Sequence, residues 1–132
     1  MSVGLLLVTH AGIGAELIAV VEGICGQIRP CLHEVSIPSD LRPEDLGRYA
    51  DRVRDAMREC DTGDGVLVMT DLYGSTPDNL ARHFSDECKA RVISGINLPM
   101  LLRVLNYAQQ PLEELASTAS TGAREGVLQD RQ

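Results

Sequence analysis

The fold is decided by residues 3–14, which read Val-Gly-Leu-Leu-Leu-Val-Thr-His-Ala-Gly-Ile-Gly. The apolar run over residues 3–9 predicts a buried β-strand, and the glycine-containing turn after His10 leads into a helical pattern. His10 therefore stands at the carboxyl end of a predicted strand. Open α/β sheets place their chemistry at this end of the strands, so His10 is the first candidate for a functional residue.

A second segment repeats this layout with an aspartate in place of the histidine. Residues 65–70 form an apolar run, Asp71 follows it directly, and residues 72–77 read Leu-Tyr-Gly-Ser-Thr-Pro. Thr76 is predicted to be the N-cap of the next helix. If the two strands are neighbours in a parallel sheet, His10 and Asp71 meet at the same edge.

Strand and helix patterns alternate along the chain. Strands are predicted over residues 3–9, 32–37, 65–70 and 91–95. Helices are predicted over residues 15–25, over residues 39–60 and from residue 112 to about 119. Asp40 is expected to cap the second of these, and two further helices are expected to start at Thr76 and at residues 97–99. This alternation predicts an α/β fold with a doubly wound, mostly parallel four-stranded sheet and helices on both faces. Flavodoxin-like topology, with the first and third strands as neighbours, gives the expected order 2-1-3-4. The polar second strand is expected at an edge, and residues 1–132 are expected to form a single domain.

Composition excludes several classes of function. The chain of 132 residues is 44% hydrophobic and has a formal net charge of −7, which argues against binding to nucleic acid or to anionic lipid. No apolar stretch reaches the roughly 20 residues of a membrane span, and no signal peptide is recognisable, so we expect a cytoplasmic protein with reduced thiols. Cys31 and His33 could form half of a metal site, but no second ligand pair follows, so no metal is expected.

The predicted pair suits nucleophilic chemistry. A carboxylate that binds one ring nitrogen of His10 fixes the tautomer, leaves the other nitrogen as a nucleophile, and stabilises the cation formed after attack. Phosphate ligands are expected from the two turns and helix starts, at Gly12, Gly74, Ser75 and Thr76. Together these parts indicate phosphoryl transfer through phosphohistidine without a cofactor. The simpler alternatives are that His10 is a packing residue and Asp71 a turn residue.

Three motifs carry a resemblance to a known family: Thr9-His10, residues 70–77, and residues 95–101, which read Gly-Ile-Asn-Leu-Pro-Met-Leu. Together they resemble the mannose-type (mannose/fructose/sorbose superfamily) enzyme IIA component of the bacterial phosphoenolpyruvate-dependent sugar phosphotransferase system. The resemblance implies that His10 accepts a phosphoryl group from phospho-HPr and passes it to a histidine of a separate enzyme IIB. It also implies that Asp71 is the carboxylate partner of His10 and that Thr76 contacts phosphate.

The resemblance further implies a homodimer that exchanges an antiparallel edge strand, for which the segment after Gly122 is the candidate. One departure is Ala11, where the family commonly has glycine, and Gly12 is then the candidate for the flexible position. Three alternatives remain at this stage. They are a regulatory phosphohistidine module without sugar transport, a phosphoryl donor for a dihydroxyacetone kinase, and a flavodoxin-like ligand-binding domain, which the low aromatic content disfavours.

Overall fold

The structure, a computed structural model, describes residues 2–26 and 32–130. Within these ranges the strands are β1 (Gly4–His10), β2 (Leu32–Ile37), β3 (Val66–Thr70) and β4 (Ala90–Ser94). The helices are α1 (Ile13–Cys25), α2 (Leu46–Cys60), α3 (Thr76–His83), α4 (Leu98–Asn106) and α5 (Leu112–Glu125), and a 3₁₀ turn at Pro43–Asp45 precedes α2.

The four strands form a parallel sheet in the order β2-β1-β3-β4, which confirms the predicted order and the edge position of the polar strand. The apolar strands β1 and β3 are central and adjacent. Val8 pairs with Val35 on one side and with Thr70 on the other. Because Thr70 is the last residue of β3, the carboxyl ends of β1 and β3 lie side by side at the same edge of the sheet.

Helices cover both faces of the sheet, as predicted. Alternate residues of β1 point into opposite layers: Leu6 and Val8 lie in the core formed with α2 and α3, and Leu5 and Leu7 lie in the core formed with α1, α4 and α5. All four side chains are at most 2% exposed. Burial of each contributes roughly 1.5–3 kcal/mol. β1 therefore contributes to both cores, as β3 does through Val68 and Leu67.

The second helix begins later than predicted. We expected it to start at residue 39 with Asp40 as its cap, but α2 begins at Leu46. Arg42 precedes a proline and is extended, with φ −83° and ψ 148°. The ring of a proline disfavours helical backbone in the residue before it, so a helix could not pass through Arg42.

The last helix is longer than predicted and ends at Glu125. The predicted end was at about residue 119, but α5 continues through Gly122, where it packs against α4. A Cβ at this position would come 2.8 Å from Cβ of Arg103. The segment after Gly122 is therefore helical up to Glu125, and residues 127–130 form no strand in the single chain described. Strand exchange in a dimer stays a prediction.

Among the described residues, no helix combines the length and the apolar character needed to cross a membrane. Cys31, which with His33 was considered as half of a metal site, lies outside the described residues. Within the described ranges, no group of three or more His, Cys, Asp or Glu side chains is arranged to hold a metal ion.

Two glycine substitutions test the close packing of β1. Gly4→Ala would place a Cβ 2.1 Å from the carbonyl oxygen of Cys60, at the end of α2, and we expect it to lower the free energy of unfolding by about 1–3 kcal/mol. Gly23→Ala, inside α1, meets nothing within 4 Å and should raise it by about 0.5–1 kcal/mol. Urea denaturation of both variants measures these changes. Equal effects would show that β1 and α2 are not in contact as described.

Candidate functional site

The structure brings His10 and Asp71 together at the carboxyl edge of the sheet. His10 is the last residue of β1, and Asp71 directly follows β3. Nδ1 of His10 lies 2.8 Å from Oδ2 of Asp71, and the same oxygen accepts a 2.9 Å hydrogen bond from the backbone N–H of His10. A carboxylate beside Nδ1 selects the tautomer that carries its proton there, and Nε2 is then the ring nitrogen with a free lone pair.

The two partners differ in their access to solvent. The side chain of Asp71 is 9% exposed and that of His10 is 30% exposed. Oδ1 of Asp71 is buried and has no hydrogen-bond partner among the described residues. The carboxylate is therefore held inside the protein by its two bonds to His10, whereas the imidazole ring is open enough for a second molecule to reach it.

The turn after His10 is shaped by Thr9 and Gly12. The buried hydroxyl of Thr9 donates to the carbonyl oxygen of His10 and accepts from the N–H of Gly14, each at 2.9 Å. Gly12 is the N-cap of α1 and has φ 95°, a left-handed conformation that favours glycine. In the described chain, the N–H groups of Gly12 and Ile13 have no acceptor, so they are available to an anion near His10.

Ala11 fits this turn without strain. Among the described residues, Lys89 is the one non-glycine residue with a positive φ, so Ala11 does not need the conformational freedom of glycine. Its N–H donates to the carbonyl oxygen of Ile37 at 2.9 Å, which fastens the turn to β2. The left-handed position is thus one residue further along, at Gly12.

The turn after Asp71 differs from the sequence expectation. The N–H groups of Gly74 and Ser75 were expected to bind phosphate, but Gly74 donates to Oδ2 of Asp78 at 3.0 Å and Ser75 donates to the carbonyl oxygen of Leu72 at 3.2 Å. The hydroxyl of Ser75 also donates to Leu72, at 2.7 Å. The donors of Gly74 and Ser75 therefore stabilise the turn itself, because they are already hydrogen-bonded to acceptors in the same segment.

Thr76 begins α3 instead of capping it. The N-cap is Ser75, with φ −78° and ψ 171°, so the predicted capping role of Thr76 is wrong by one residue. No hydrogen bond of the Thr76 hydroxyl or N–H occurs within the described part of the chain. Of the groups expected at this second turn, those of Thr76 are the ones that remain available to a ligand.

Asp78 is a residue of the site that sequence reasoning did not identify. Its side chain is fully buried, and its two oxygens accept from the Thr70 hydroxyl at 2.6 Å, the Gly74 N–H at 3.0 Å and Nε of Arg82 at 2.9 Å. Burial alone would raise the pKa of Asp78, but the hydrogen bonds from Thr70, Arg82 and Gly74 and the charge of Arg82 together hold its pKa below the ordinary value. A signal was present in the sequence, because Asp78 and Arg82 have the (i, i+4) spacing of a helical ion pair.

Exposed apolar side chains lie on the two turns that follow His10 and Asp71. Leu72 and Tyr73, on the turn after Asp71, are 61% and 73% exposed, and Ile13, on the first turn of α1, is 42% exposed. Such large exposed apolar side chains beside a functional group are typical of a surface that another protein covers. The other two histidines lie elsewhere: His83 packs edge-on against Phe84, and His33 is on β2, four residues before the end of that strand.

A family model described as "PTS system fructose IIA component" matches residues 4–119 of this chain. The PTS system mannose-specific EIIAB component of Escherichia coli (strain K12) is 27% identical over 130 residues, which covers 96% of this chain and 39% of that protein. The PTS system fructose-specific EIIA component of Bacillus subtilis (strain 168) is 27% identical over 70 residues, which covers 52% of this chain and 48% of that protein. The chain thus matches less than half of the length of these curated relatives.

Solved structures show the same fold. The mannose/sorbose specific IIA subunit of the phosphotransferase system from Enterococcus faecalis superposes with a TM-score of 0.85 at 24% identity, covering 100% of this chain and 97% of that one. The phosphotransferase system component EIIA from Streptococcus agalactiae gives a TM-score of 0.78 at 22% identity and 96% coverage of both chains.

The buried charge of Asp78 makes stability depend on pH. Because folding lowers its pKa below 3.8, Asp78 contributes stability above that pH and loses the contribution as the pH falls. We expect the difference in free energy of unfolding between wild type and Asp78→Asn to shrink as the pH falls from about 6 to about 3, by at most about 1.4 kcal/mol for each unit by which folding lowers the pKa. Urea denaturation at both pH values measures it.

The exposed Asp86, whose side chain makes no hydrogen bond to the turn, is the matched control for this comparison, and Asp86→Asn should follow the wild type at both pH values. A difference between wild type and Asp78→Asn that stayed constant with pH would contradict the ionised, hydrogen-bonded state of Asp78.

Proposed function

The chain belongs to the mannose-type enzyme IIA family of the phosphotransferase system, a family of phosphoryl carriers, and from this premise we propose that His10 is the residue that carries the phosphoryl group. The observation that supports this most directly is the 2.8 Å contact between Nδ1 of His10 and Oδ2 of Asp71. It leaves Nε2 of a partly exposed ring as the nucleophile. We also propose that residues 1–132 act as one enzyme IIA domain.

The proposed donor is the phosphohistidine of HPr. The lone pair of Nε2 attacks the phosphorus atom, a new P–N bond forms, and the P–N bond to the donor histidine breaks, with its electron pair returning to that imidazole. His10 then carries positive charge in its ring, which the carboxylate of Asp71 stabilises at 2.8 Å from Nδ1. In the second transfer, a histidine of an enzyme IIB attacks the phosphorus atom, and the P–N bond to Nε2 of His10 breaks with its electron pair returning to the His10 ring.

The oxygens of the transferred group need hydrogen-bond donors. We propose that they come from the N–H of Gly12, at the start of α1, and from the hydroxyl and N–H of Thr76, at the start of α3. The positive ends of both helix dipoles favour an anion at this edge. Gly74 and Ser75, the other expected phosphate ligands, are assigned instead to holding the turn, because their donors are already engaged.

The partners are expected to bind over the same edge. Leu72, Tyr73 and Ile13 are exposed on the two turns that follow Asp71 and His10, and they offer apolar contact to HPr and to enzyme IIB in turn. We further propose that the protein acts as a homodimer and that it works without a cofactor.

Phosphorylation by phosphoenolpyruvate, enzyme I and HPr tests the assignment. Wild type should gain one acid-labile phosphate, His10→Gln none, and Asp71→Asn the same phosphate about 10²-fold more slowly, because the orienting carboxylate is lost. His83→Gln is the control and should be labelled like wild type. Labelling of His10→Gln at the wild-type rate would exclude His10 as the carrier.

Ala11 offers a second test. Since Ala11 does not occupy a left-handed conformation, Ala11→Gly should leave the labelling rate unchanged and lower the free energy of unfolding by about 0.4–1 kcal/mol through the greater freedom of the unfolded chain. Labelling kinetics and urea denaturation measure both effects. A large change in rate would mean that the side chain of Ala11 influences the phosphate position.

A further inference from the structure

We propose that Asp78 is a positioning residue for phosphoryl transfer, and that its buried carboxylate holds the turn over residues 71–75 in the shape that places Asp71 against His10. This inference rests on the proposed function of His10. Asp78 itself lies in the first turn of α3 and acts through the turn, not on the phosphoryl group.

The two oxygens of Asp78 bind both ends of the turn. Oδ1 accepts from the hydroxyl of Thr70, the residue directly before Asp71, at 2.6 Å. Oδ2 accepts from the N–H of Gly74, near the other end, at 3.0 Å. Because Thr70 and Asp78 are both fully buried, water does not compete for these bonds. One side chain therefore fixes where the turn leaves β3 and where it enters α3.

Arg82 extends the same contact to the outer part of the turn. Its Nε donates to Oδ2 of Asp78 at 2.9 Å, and its guanidinium lies over the ring of Tyr73, 5.0 Å from the ring centroid. Asp78 thus orients Arg82, and Arg82 packs against the most exposed side chain of the turn. Contacts to Asp78 and Arg82 therefore hold the turn at three places: at Thr70, at the ring of Tyr73 and at Gly74.

Asp71 depends on this support. Oδ2 of Asp71 meets both the N–H and Nδ1 of His10, at 2.9 and 2.8 Å, so a small displacement of the turn breaks one of the two contacts. Oδ1 of Asp71 has no donor among the described residues. Apart from its bonds to His10, the orientation of Asp71 is consequently set by its own backbone, which Asp78 fixes through Thr70 and Gly74.

The contacts of Asp78 also distinguish positioning from simple helix capping. An acidic residue in a first helical turn ordinarily stabilises the helix by facing its free N–H groups. The two oxygens of Asp78 instead accept from Thr70 and Gly74, which lie outside the helix, and from the side chain of Arg82, one helical turn further along. The arrangement serves the geometry of the turn.

The test compares Asp78→Asn, Arg82→Gln and the control Asp86→Asn with wild type. The amide of asparagine can accept at one atom only, so either Thr70 or the pair Gly74 and Arg82 loses its acceptor. Each variant is studied at a temperature where thermal unfolding shows it to be folded. Two readouts are used: the tautomer of His10 from the ¹⁵N shifts of its ring nitrogens, and the rate of phosphorylation by phospho-HPr.

We expect wild type and Asp86→Asn to hold the proton of His10 on Nδ1 and to be labelled at equal rates. Asp78→Asn should show a mixture of tautomers and a labelling rate lower by about tenfold, because the reacting nitrogen is misplaced. Arg82→Gln should change both readouts in the same direction by a smaller amount. A merely structural role of Asp78 would lower the unfolding temperature and leave the tautomer of the folded protein unchanged.

A folded Asp78→Asn with wild-type tautomer and rate would overturn the inference. If Asp78→Asn does not fold, Arg82→Gln decides: an altered tautomer supports the positioning role, and an unaltered one overturns it. If wild type accepts no phosphate at all, the proposed function fails, and the tautomer comparison still decides whether Asp78 positions Asp71.

Discussion

The parallel pairing of β1 with β3 is the constraint on which the rest of the site depends. Val8 lies opposite Thr70, so β1 and β3 end side by side at the same edge of the sheet. His10 and Asp71 follow within two residues of this pair. No long side chain is needed to join them. A hydrogen bond of 2.8 Å between strand-end residues that are 61 positions apart in the sequence follows directly from this register.

Both turns that follow these strands are built on the same plan. At the end of each strand a buried threonine directly precedes the functional residue: Thr9 precedes His10, and Thr70 precedes Asp71. The hydroxyl of Thr9 accepts from Gly14 at the start of α1, and the hydroxyl of Thr70 donates to Asp78 at the start of α3. In both cases, a side chain with no access to water ties the strand end to the helix that follows.

The strands and their parallel direction were predictable from the hydrophobic runs and the alternation with helices. The meeting of His10 with Asp71 followed once the first and third strands were placed as neighbours, as in flavodoxin-like topology. The late start of α2 was also within reach of the sequence, since Pro43 restricts Arg42. The continuation of α5 through Gly122 was not, because only the approach of Arg103 on α4 explains a glycine there. Asp78 escaped prediction for the same kind of reason: its partners Thr70 and Gly74 are brought to it by the folded turn.

The partial exposure of His10 has a consequence for the lifetime of a group stored on it. A ring that is 30% exposed can be reached by two partner proteins in succession, but it can also be reached by water. Proteins that keep reactive intermediates for long periods bury them. In the proposed function, this site therefore holds the phosphoryl group only for a short time. Phosphorylated His10 is slowly hydrolysed by water whenever no partner protein covers it. The yield of each cycle then depends on how quickly the acceptor arrives after the donor has left.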